Sequence, residues 1–482
     1  MSLTIYNVLG REKQPFKPIT EGVVGIYVCG PTVYDHSHLG HAKTYVNFDM
    51  VVRWLRKSYD GVLYVQNLTD VGHLLETDED RILRKARQIG AKPMQIADHY
   101  ARSFNDDMAS LNVLPPDIQP RATGHVPEQI EMTEELIRKG FAYEANGSVY
   151  FDVTADKDYG KLSNRRVDEQ EENTRGTVGV GEKRHPADFA LWKKANPEHI
   201  MRWNSPWGVG FPGWHIECSA MARKYLGANF DIHGGGIDNI FPHNECEIAQ
   251  SESANDAPFA NYWMLVGSLT VDGVKMSKSL GNFITIKDAL QQNRAEVIRT
   301  FILTAQYSNP VDYSDEAMDA ARAGWERMYN AVQLTRRQMN HAPESDDGGR
   351  FNERLEQAKA DFADALNDNF NAPQGIAVLQ NLTRDVNTLL NGDTEVGLAT
   401  LNAINDTYNS LGGDGLGIIP ATSEETGASA AREAGLIEML IAMRAQARAN
   451  KNFSEADAIR DRLAGLGVQL DDRPDGTIWR IV

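Results

Sequence analysis

Val23 to Val28 is an unbroken apolar, mostly β-branched run, the pattern of a strand buried on both faces. Cys29-Gly30-Pro31-Thr32 breaks it. From about Gly40, Phe48, Val51, Val52 and Leu55 recur at helical spacing, and Gly61 to Asn67 has a second strand pattern. Strand, helix, strand predicts the opening unit of a parallel α/β sheet. Asp117 to Trp203 is charge-rich and less regular, with a helix around Glu128 to Lys139 and a short strand at Ser148 to Phe151; it reads as an insertion. Strand patterns return at Asn229 to Ile232 and Tyr262 to Val271. Asp315 to Leu411 is almost wholly helical, interrupted by a loop over His341 to Arg350. Residues 412–434 have the composition of a linker. The remainder, 435–482, predicts two helices, Leu436 to Asn450 and Ser454 to Leu463, then strand-like ends around Val468 to Leu470 and Ile478 to Ile481.

The fold class expected from this order is α/β. A Rossmann-like parallel-sheet domain over 1–314 carries an insertion at about 117–203. A helical bundle over 315–411, the linker and a small C-terminal unit follow.

A chain of 482 residues is long enough for several domains. The N-terminus lacks the basic-then-apolar order of an export signal, and no apolar run approaches the ~20 residues of a membrane helix. Three cysteines cannot form a disulfide framework at this length; they suit a reducing cytoplasm. The net charge of −18 argues against a general polyanion binder but not against a local basic patch. Residues 435–482 carry seven basic and seven acidic side chains, so this tail is far less acidic than the rest.

His38-Leu39-Gly40-His41 falls where the first strand has ended and the first helix begins. A helix N-terminus suits phosphate, the two histidines add donors, and Gly40 lets a ring approach the backbone. Alone, these four residues carry little weight, because a loop histidine pair with a surface role would look the same. Lys275-Met276-Ser277-Lys278-Ser279 follows a strand and an Asp272-Gly273 turn. Its lysines can neutralise a migrating triphosphate, although isolated lysines usually mark a solvated loop. Two such motifs more than two hundred residues apart rarely co-occur by chance. Gly176 to Gly181 (GTVGVG) mimics a phosphate loop but continues into Glu182 without the Lys-Ser/Thr ending, so it reads as a plain loop. Cys29, Cys218, His243 and Glu247 offer thiolates, an imidazole and a carboxylate, a donor set that suits zinc. His243 and Glu247 stand at i and i+4 on one helix face. Cys246, at i+3 from His243, is an alternative fourth ligand, and a Cys3His site would be closed and structural.

The HLGH and KMSKS pair resembles the signatures of class I aminoacyl-tRNA synthetases. Tyr27 to Asp35, Lys183 to Lys193, Gly213 to Met221, Asp231 to Gly236 and Asp471 to Arg480 resemble the cysteinyl members of that family in particular. The resemblance covers nearly the whole chain. It implies activation of L-cysteine by ATP, transfer to the 3′ end of tRNA(Cys), one Zn2+ holding the substrate thiolate, and Mg2+ travelling with ATP. It implies His38, His41, Lys275 and Lys278 as catalytic residues, with Gly40, Gly236 and Asp238 around the adenosine. It favours Glu247 over Cys246 as zinc ligand, and assigns Thr69, Trp214 and His233 to the cysteine pocket. It makes about 265–314 a stem-contact region, 315–411 a tRNA-contacting bundle and 435–482 an anticodon unit reading through Arg448, Asp457, Asp472 and Trp479. Phe453 stands where the family would have a tryptophan. A cytoplasmic monomer is expected, with no membrane partner. The rival readings are a ligase joining cysteine to an amino sugar, which would lack a complete tail, and a silent RNA-binding relative, which would lose one of the two motifs.

Overall fold

A four-stranded sheet carries the site. Its strands are β1 (Val23–Val28), β2 (Gly61–Gln66), β3 (Phe230–Gly236) and β4 (Ala260–Val266), in the order β4-β3-β1-β2 and all parallel. In this computed structural model the described residues are all except 1, 74–79, 166–181, 198, 277–279, 345–348, 350, 393–394, 422–426, 474–475 and 482. Lys278, with Ser277 and Ser279, lies outside the described residues, as does the Gly176 to Gly181 segment.

Helix α1 (Leu39–Ser58) connects β1 to β2. It buries Tyr45, Phe48, Val52 and Leu55 at helical spacing. Contact with β3 is close: a Cβ added at Gly234 would stand 2.3 Å from the Phe48 ring, so only glycine fits there. Helix α2 (Trp214–Leu226) leads into β3, and α3 (Glu245–Asn255) joins β3 to β4. The connections from β1 and from β3 leave in opposite directions along the sheet. Their carboxyl ends therefore flank a crevice, the place where open α/β sheets bind ligands.

Between β2 and α2 lies the insertion. It has a helix, Val126–Arg138, and a five-stranded antiparallel sheet built from Ala142–Ala145, Ser148–Phe151, Phe189–Lys194, Trp203–Ser205 and Gly208–Pro212. This sheet runs on to Pro212, because Trp203–Ser205 and Gly208–Pro212 pair with each other. After β4, Leu269–Val271 pairs with Val274–Lys275 and lies parallel to Val311–Tyr313. The helices Asp315–Met339, Asn352–Asn367, Ala372–Leu390 and Leu398–Tyr408 follow.

Residues 412–419, linker-like by composition, are part of the core: Leu416, Ile418 and Ile419 are buried. Arg299 fixes this segment. It is wholly buried, donates to Asp49 Oδ2 at 2.6 Å and to the Leu416 carbonyl at 2.6 Å, and also donates to the Leu111 carbonyl at 3.0 Å. Gly417 has φ +68° and a Cβ there would strike the guanidinium at 2.4 Å.

Residues 1–419 form one compact unit and 420–482 a second. The second contains helices Gly427–Ala449 and Phe453–Gly465 and the hairpin Val468–Arg473/Gly476–Ile481, around a small core of Ile437, Ile441, Leu463 and Val468. Its first helix begins inside the linker-like stretch, where alanines at 428, 430 and 431 favour helix.

Candidate active site

A cleft of about 360 Å³ opens at the carboxyl ends of β1 and β3. Cys29 and Gly30 enter it directly from β1, Gly236 and Asp238 from the end of β3, and His38, Gly40 and His41 from the start of α1.

The two α1 histidines cap their own helix. His38 Nδ1 accepts from the Gly40 N–H at 3.0 Å, and His41 Nδ1 accepts from the His38 N–H at 3.2 Å. A backbone N–H can only donate, so both Nδ1 atoms are acceptors and each neutral ring carries its proton on Nε2. The rings stack with centroids 3.9 Å apart. Burial, with the neighbouring His38, pushes the His41 pKa well below the ordinary histidine value, so His41 is neutral at pH 7. Gly40 is required by this arrangement: a Cβ would meet the His38 ring at 2.8 Å.

Deeper in the cleft, Cys29 Sγ, Cys218 Sγ, a His243 ring nitrogen and a Glu247 carboxylate oxygen all lie within 4.8 Å of one another. Each comes from a different place: the end of β1, the first turns of α2, the turn before α3, and α3 itself. All four are buried. Cys29 Sγ is 3.7 Å from Glu247 Oε1, and His243 Nε2 is 3.7 Å from the same oxygen. Donors around one tetrahedral zinc stand about 3.3–3.8 Å apart, given bonds of about 2.0–2.3 Å. The two 3.7 Å contacts match that spacing, the whole set lies within 4.8 Å, and the donor types suit the ion.

Burial would raise the Cys218 thiol, but a hydrogen bond from Cys29 and the His243 imidazole bring it down to about 6. Cys29, the donor of that bond, is pushed up. Burial likewise opposes a charged Glu247, yet His233 and His243, with the Asn244 amide, hold its carboxyl at about 2. Asn244 Nδ2 donates to Glu247 Oε2 at 2.8 Å, and His233 Nε2 stands 3.2 Å from that same oxygen. These are the orienting contacts that metal-binding carboxylates need. Cys246 points elsewhere. Its Sγ lies 3.6 Å from the Tyr159 hydroxyl, among the apolar residues beneath the insertion, and burial raises its pKa.

Trp214 lines the cleft between two imidazoles, stacked on His73 at 4.0 Å and on His243 at 4.4 Å. His73 Nδ1 is 2.6 Å from Thr32 Oγ1, and His215 Nδ1 is 3.0 Å from His243 Nδ1. Thr69 is buried at the cleft wall and accepts from Asn67 Nδ2 at 3.1 Å. His233 does not line the cleft. It is fully buried behind Glu247 and stacks on Trp263 at 4.2 Å. At the mouth, Lys275 Nζ donates to Asp238 Oδ1 at 2.9 Å, with both side chains exposed. Sequence reasoning missed His73, His215 and Asn244. Asn244 was findable, since it directly follows a candidate ligand on the same turn.

In the C-terminal unit, Asp472 is the hub. Arg444 grips both its oxygens at 2.7 Å, Arg448 donates at 2.9 Å and Thr477 Oγ1 at 2.7 Å. These bonds hold its carboxyl far below the usual range. Trp479 Nε1 donates to Glu438 at 2.7 Å, and Asp457 pairs with Arg460 at 3.2 Å. Arg444 was not singled out from sequence.

Three family models match the chain: the class I (C) tRNA synthetase catalytic domain over residues 15–323, the DALR domain over 361–419, and the cysteinyl-tRNA ligase anticodon binding domain over 435–480. Similar proteins named cysteine–tRNA ligase include that of Chlorobaculum tepidum, 47% identical over 99% of both chains. That of Deinococcus radiodurans is 48% identical over 99% of this chain and 97% of its own. That of Thermococcus onnurineus is 43% identical over 100% and 99%. Among solved structures, Mycobacterium tuberculosis methionyl-tRNA synthetase with methionyl-adenylate superposes at a TM-score of 0.56, with 14% identity, over 81% of this chain and 89% of that one. The LeuRS–tRNA–LeuAMS ternary complex from Agrobacterium radiobacter superposes at 0.62, with 13% identity, over 84% and 85%. At that identity these two bear on the fold alone.

Proposed function

The chain belongs to the cysteine–tRNA ligases, class I aminoacyl-tRNA synthetases, and from that premise we propose how its residues divide the work. The observation that carries the reading is the four-residue cluster of Cys29, Cys218, His243 and Glu247, three of which, all but Glu247, line the same cleft as His38 and His41.

In this reading the four residues hold one zinc ion. Bound there, zinc would bond the sulfur of cysteine as a thiolate and leave the hydroxyl of serine without a comparable partner. Apolar packing alone separates such pairs weakly, by about 1–3 kcal/mol. Trp214 and Thr69 shape the amino-acid pocket. His233 acts by holding Glu247, together with Asn244, and not by touching substrate.

ATP lies along the start of α1. The Nε2–H groups of His38 and His41, left as the donors of rings whose Nδ1 atoms accept from the backbone, donate to phosphate oxygens, aided by the helix terminus. Gly236 leaves room beside the adenosine, and Asp238 accepts from the ribose hydroxyls once Lys275 has left it. Lys275 and Lys278 neutralise the leaving pyrophosphate, and magnesium accompanies the nucleotide. The cysteine carboxylate attacks the α-phosphorus, pyrophosphate departs, and the tRNA terminal hydroxyl then attacks the adenylate carbonyl with loss of AMP. No covalent enzyme intermediate is involved, so catalysis is positioning plus charge neutralisation.

Residues 315–411 and the stem-contact region at about 265–314 lie along tRNA(Cys). The unit over 435–482 reads the anticodon through Arg448, Asp457, Asp472 and Trp479: Asp457 accepts from base amino groups, the indole stacks, and Asp472, whose oxygens are taken up by Arg444, Arg448 and Thr477, acts by holding Arg448 in place. No helix among the described residues is long and apolar enough to cross a membrane. Three free, buried cysteines suit a reducing compartment, and we assign a cytoplasmic monomer.

The test is pyrophosphate exchange with and without cysteine, followed by tRNA(Cys) charging. Removal of residues 435–482 is expected to spare exchange and weaken charging. Undiminished charging would remove the anticodon role, and ligation of cysteine to an amino sugar instead of tRNA would replace the acceptor.

A further inference from the structure

Lys43 is a buried cation that meets no carboxylate among the described residues. It is 1% exposed, and its ammonium donates to three backbone carbonyls, Gly267 at 2.8 Å, Ser268 at 3.1 Å and Asn309 at 2.5 Å. Three donors meet three acceptors, so the ammonium is fully satisfied. The carbonyls come from two segments that cross at Gly267. A Cβ there would meet the Asn309 carbonyl oxygen at 2.5 Å, and the Gly267 N–H donates to the Tyr307 carbonyl at 2.9 Å. Oxygens converging on one point repel each other unless a cation sits between them. Burial draws the Lys43 pKa down to about 8, which leaves it charged at neutral pH.

What Lys43 grips is functionally placed. Gly267 and Ser268 line the cleft and lead directly into Leu269–Val271, the strand that ends in the Asp272-Gly273 turn and Lys275. On its return, the same segment is tied to α1 again. The Leu39 N–H donates to the Ile284 carbonyl at 3.1 Å, and the Ile286 N–H to the Ser37 carbonyl at 3.0 Å. The segment carrying Lys275 is therefore fastened at its entry by Lys43 and at its exit by Ser37 and Leu39. Both fastenings are on the helix start that carries His38 and His41.

We propose that Lys43 is a positioning residue for the nucleotide. It fixes the cleft wall and the stalk of the Lys275 segment in register with the His38–His41 pair, through the three carbonyls it gathers. This rests on the ATP-activating reading above. The hydrophobic alternative, a lysine buried only to complete packing, leaves three carbonyls unexplained.

The test is cysteine-dependent pyrophosphate exchange by the full chain and its Lys43→Met and Lys43→Arg variants, with KM for ATP and for cysteine, kcat and zinc content read together. Lys43→Met is expected to raise KM for ATP or lower kcat by at least about tenfold, while KM for cysteine and zinc content stay within about twofold. Lys43→Arg, which keeps charge and donors, is expected to recover most of the loss. Lys43→Gln reads the same constants if the methionine variant does not fold. Unchanged ATP constants in the folded variants would overturn the proposal. So would an equal rise in both KM values with loss of zinc, since that is general loosening. No exchange by the unaltered chain would instead fail the underlying reading.

Discussion

Asn244→Ala isolates the support beneath the proposed zinc centre. Asn244 is fully buried, and its amide nitrogen donates to Glu247 Oε2 at 2.8 Å. Its own Oδ1 has no hydrogen-bond partner among the described residues, and besides Glu247 its amide nitrogen donates only a long bond to Cys29 Sγ at 3.8 Å, so truncation gives up that weaker bond as well. What remains on Oε2 is His233 Nε2 at 3.2 Å and the Cys29 thiol at 3.9 Å. A hydrogen bond to a charged group is worth about 1.5–3 kcal/mol. Because His233 survives as a second partner, the low end applies, and about 1.4 kcal/mol is tenfold in an equilibrium constant. Zinc is therefore expected to bind the variant about tenfold more weakly, within the range seen when orienting residues around metal ligands are removed. Competition against a chromophoric chelator measures the constant directly. Since the ligand atoms themselves are untouched, saturating zinc should restore cysteine-dependent exchange. An unchanged zinc affinity, or a loss of exchange that zinc cannot restore, would refute the reasoning.

Other expectations follow from separate parts of the molecule. Trp214→Ala removes the ring sandwiched by His73 and His243, and is expected to raise KM for cysteine about tenfold with little change in KM for ATP; equal changes in both would count against a cysteine-pocket role. Arg299→Met leaves the Leu111 and Leu416 carbonyls without this donor, while Asp49 keeps Arg53 at 2.8 Å; a loss of about 3–5 kcal/mol is expected, read as a lower denaturant midpoint. For pH, burial depresses His41 and His73, so the unfolded chain takes up their protons first. Stability contributed by the neutral rings is complete above the unfolded value of about 6.5 and falls as pH drops below it. Urea midpoints between pH 7.5 and 5.5 should decline, and less so in His41→Asn; an equal decline in that variant would contradict the assignment.

The central sheet was legible because β1 and β2 are short apolar runs and α1 has a clear helical period. The motif at 38–41 was placed by the same logic, since its helix start follows from where the strand stops. The inserted five-stranded sheet was not legible beyond Ser148–Phe151. Its strands are only three to six residues long and mix polar and aromatic residues, and long connections follow Phe151 and Lys194, so no period of two builds up. Leu416, Ile418 and Ile419 look like stray apolar residues among glycines, and only the fold reveals that Arg299 binds their segment. Lys43 failed for the opposite reason. A lone lysine after a helix start reads as solvated, and nothing local announces three carbonyls from residues 267, 268 and 309. The four clustered side chains were found because each is a strong donor type. Why Glu247 and not Cys246 joins them depends on which way α3 is turned, which the spacing left open.

The central claim is that this chain selects cysteine by its sulfur at the Cys29–Cys218–His243–Glu247 cluster and activates it with ATP. The most direct measurement is pyrophosphate exchange with cysteine and with serine, for the native chain and for Cys218→Ser, alongside metal content. Exchange that depends on cysteine, is negligible with serine, accompanies one zinc per chain, and disappears with the zinc in Cys218→Ser is the expected result. Cysteine-dependent exchange retained by Cys218→Ser without zinc would contradict it.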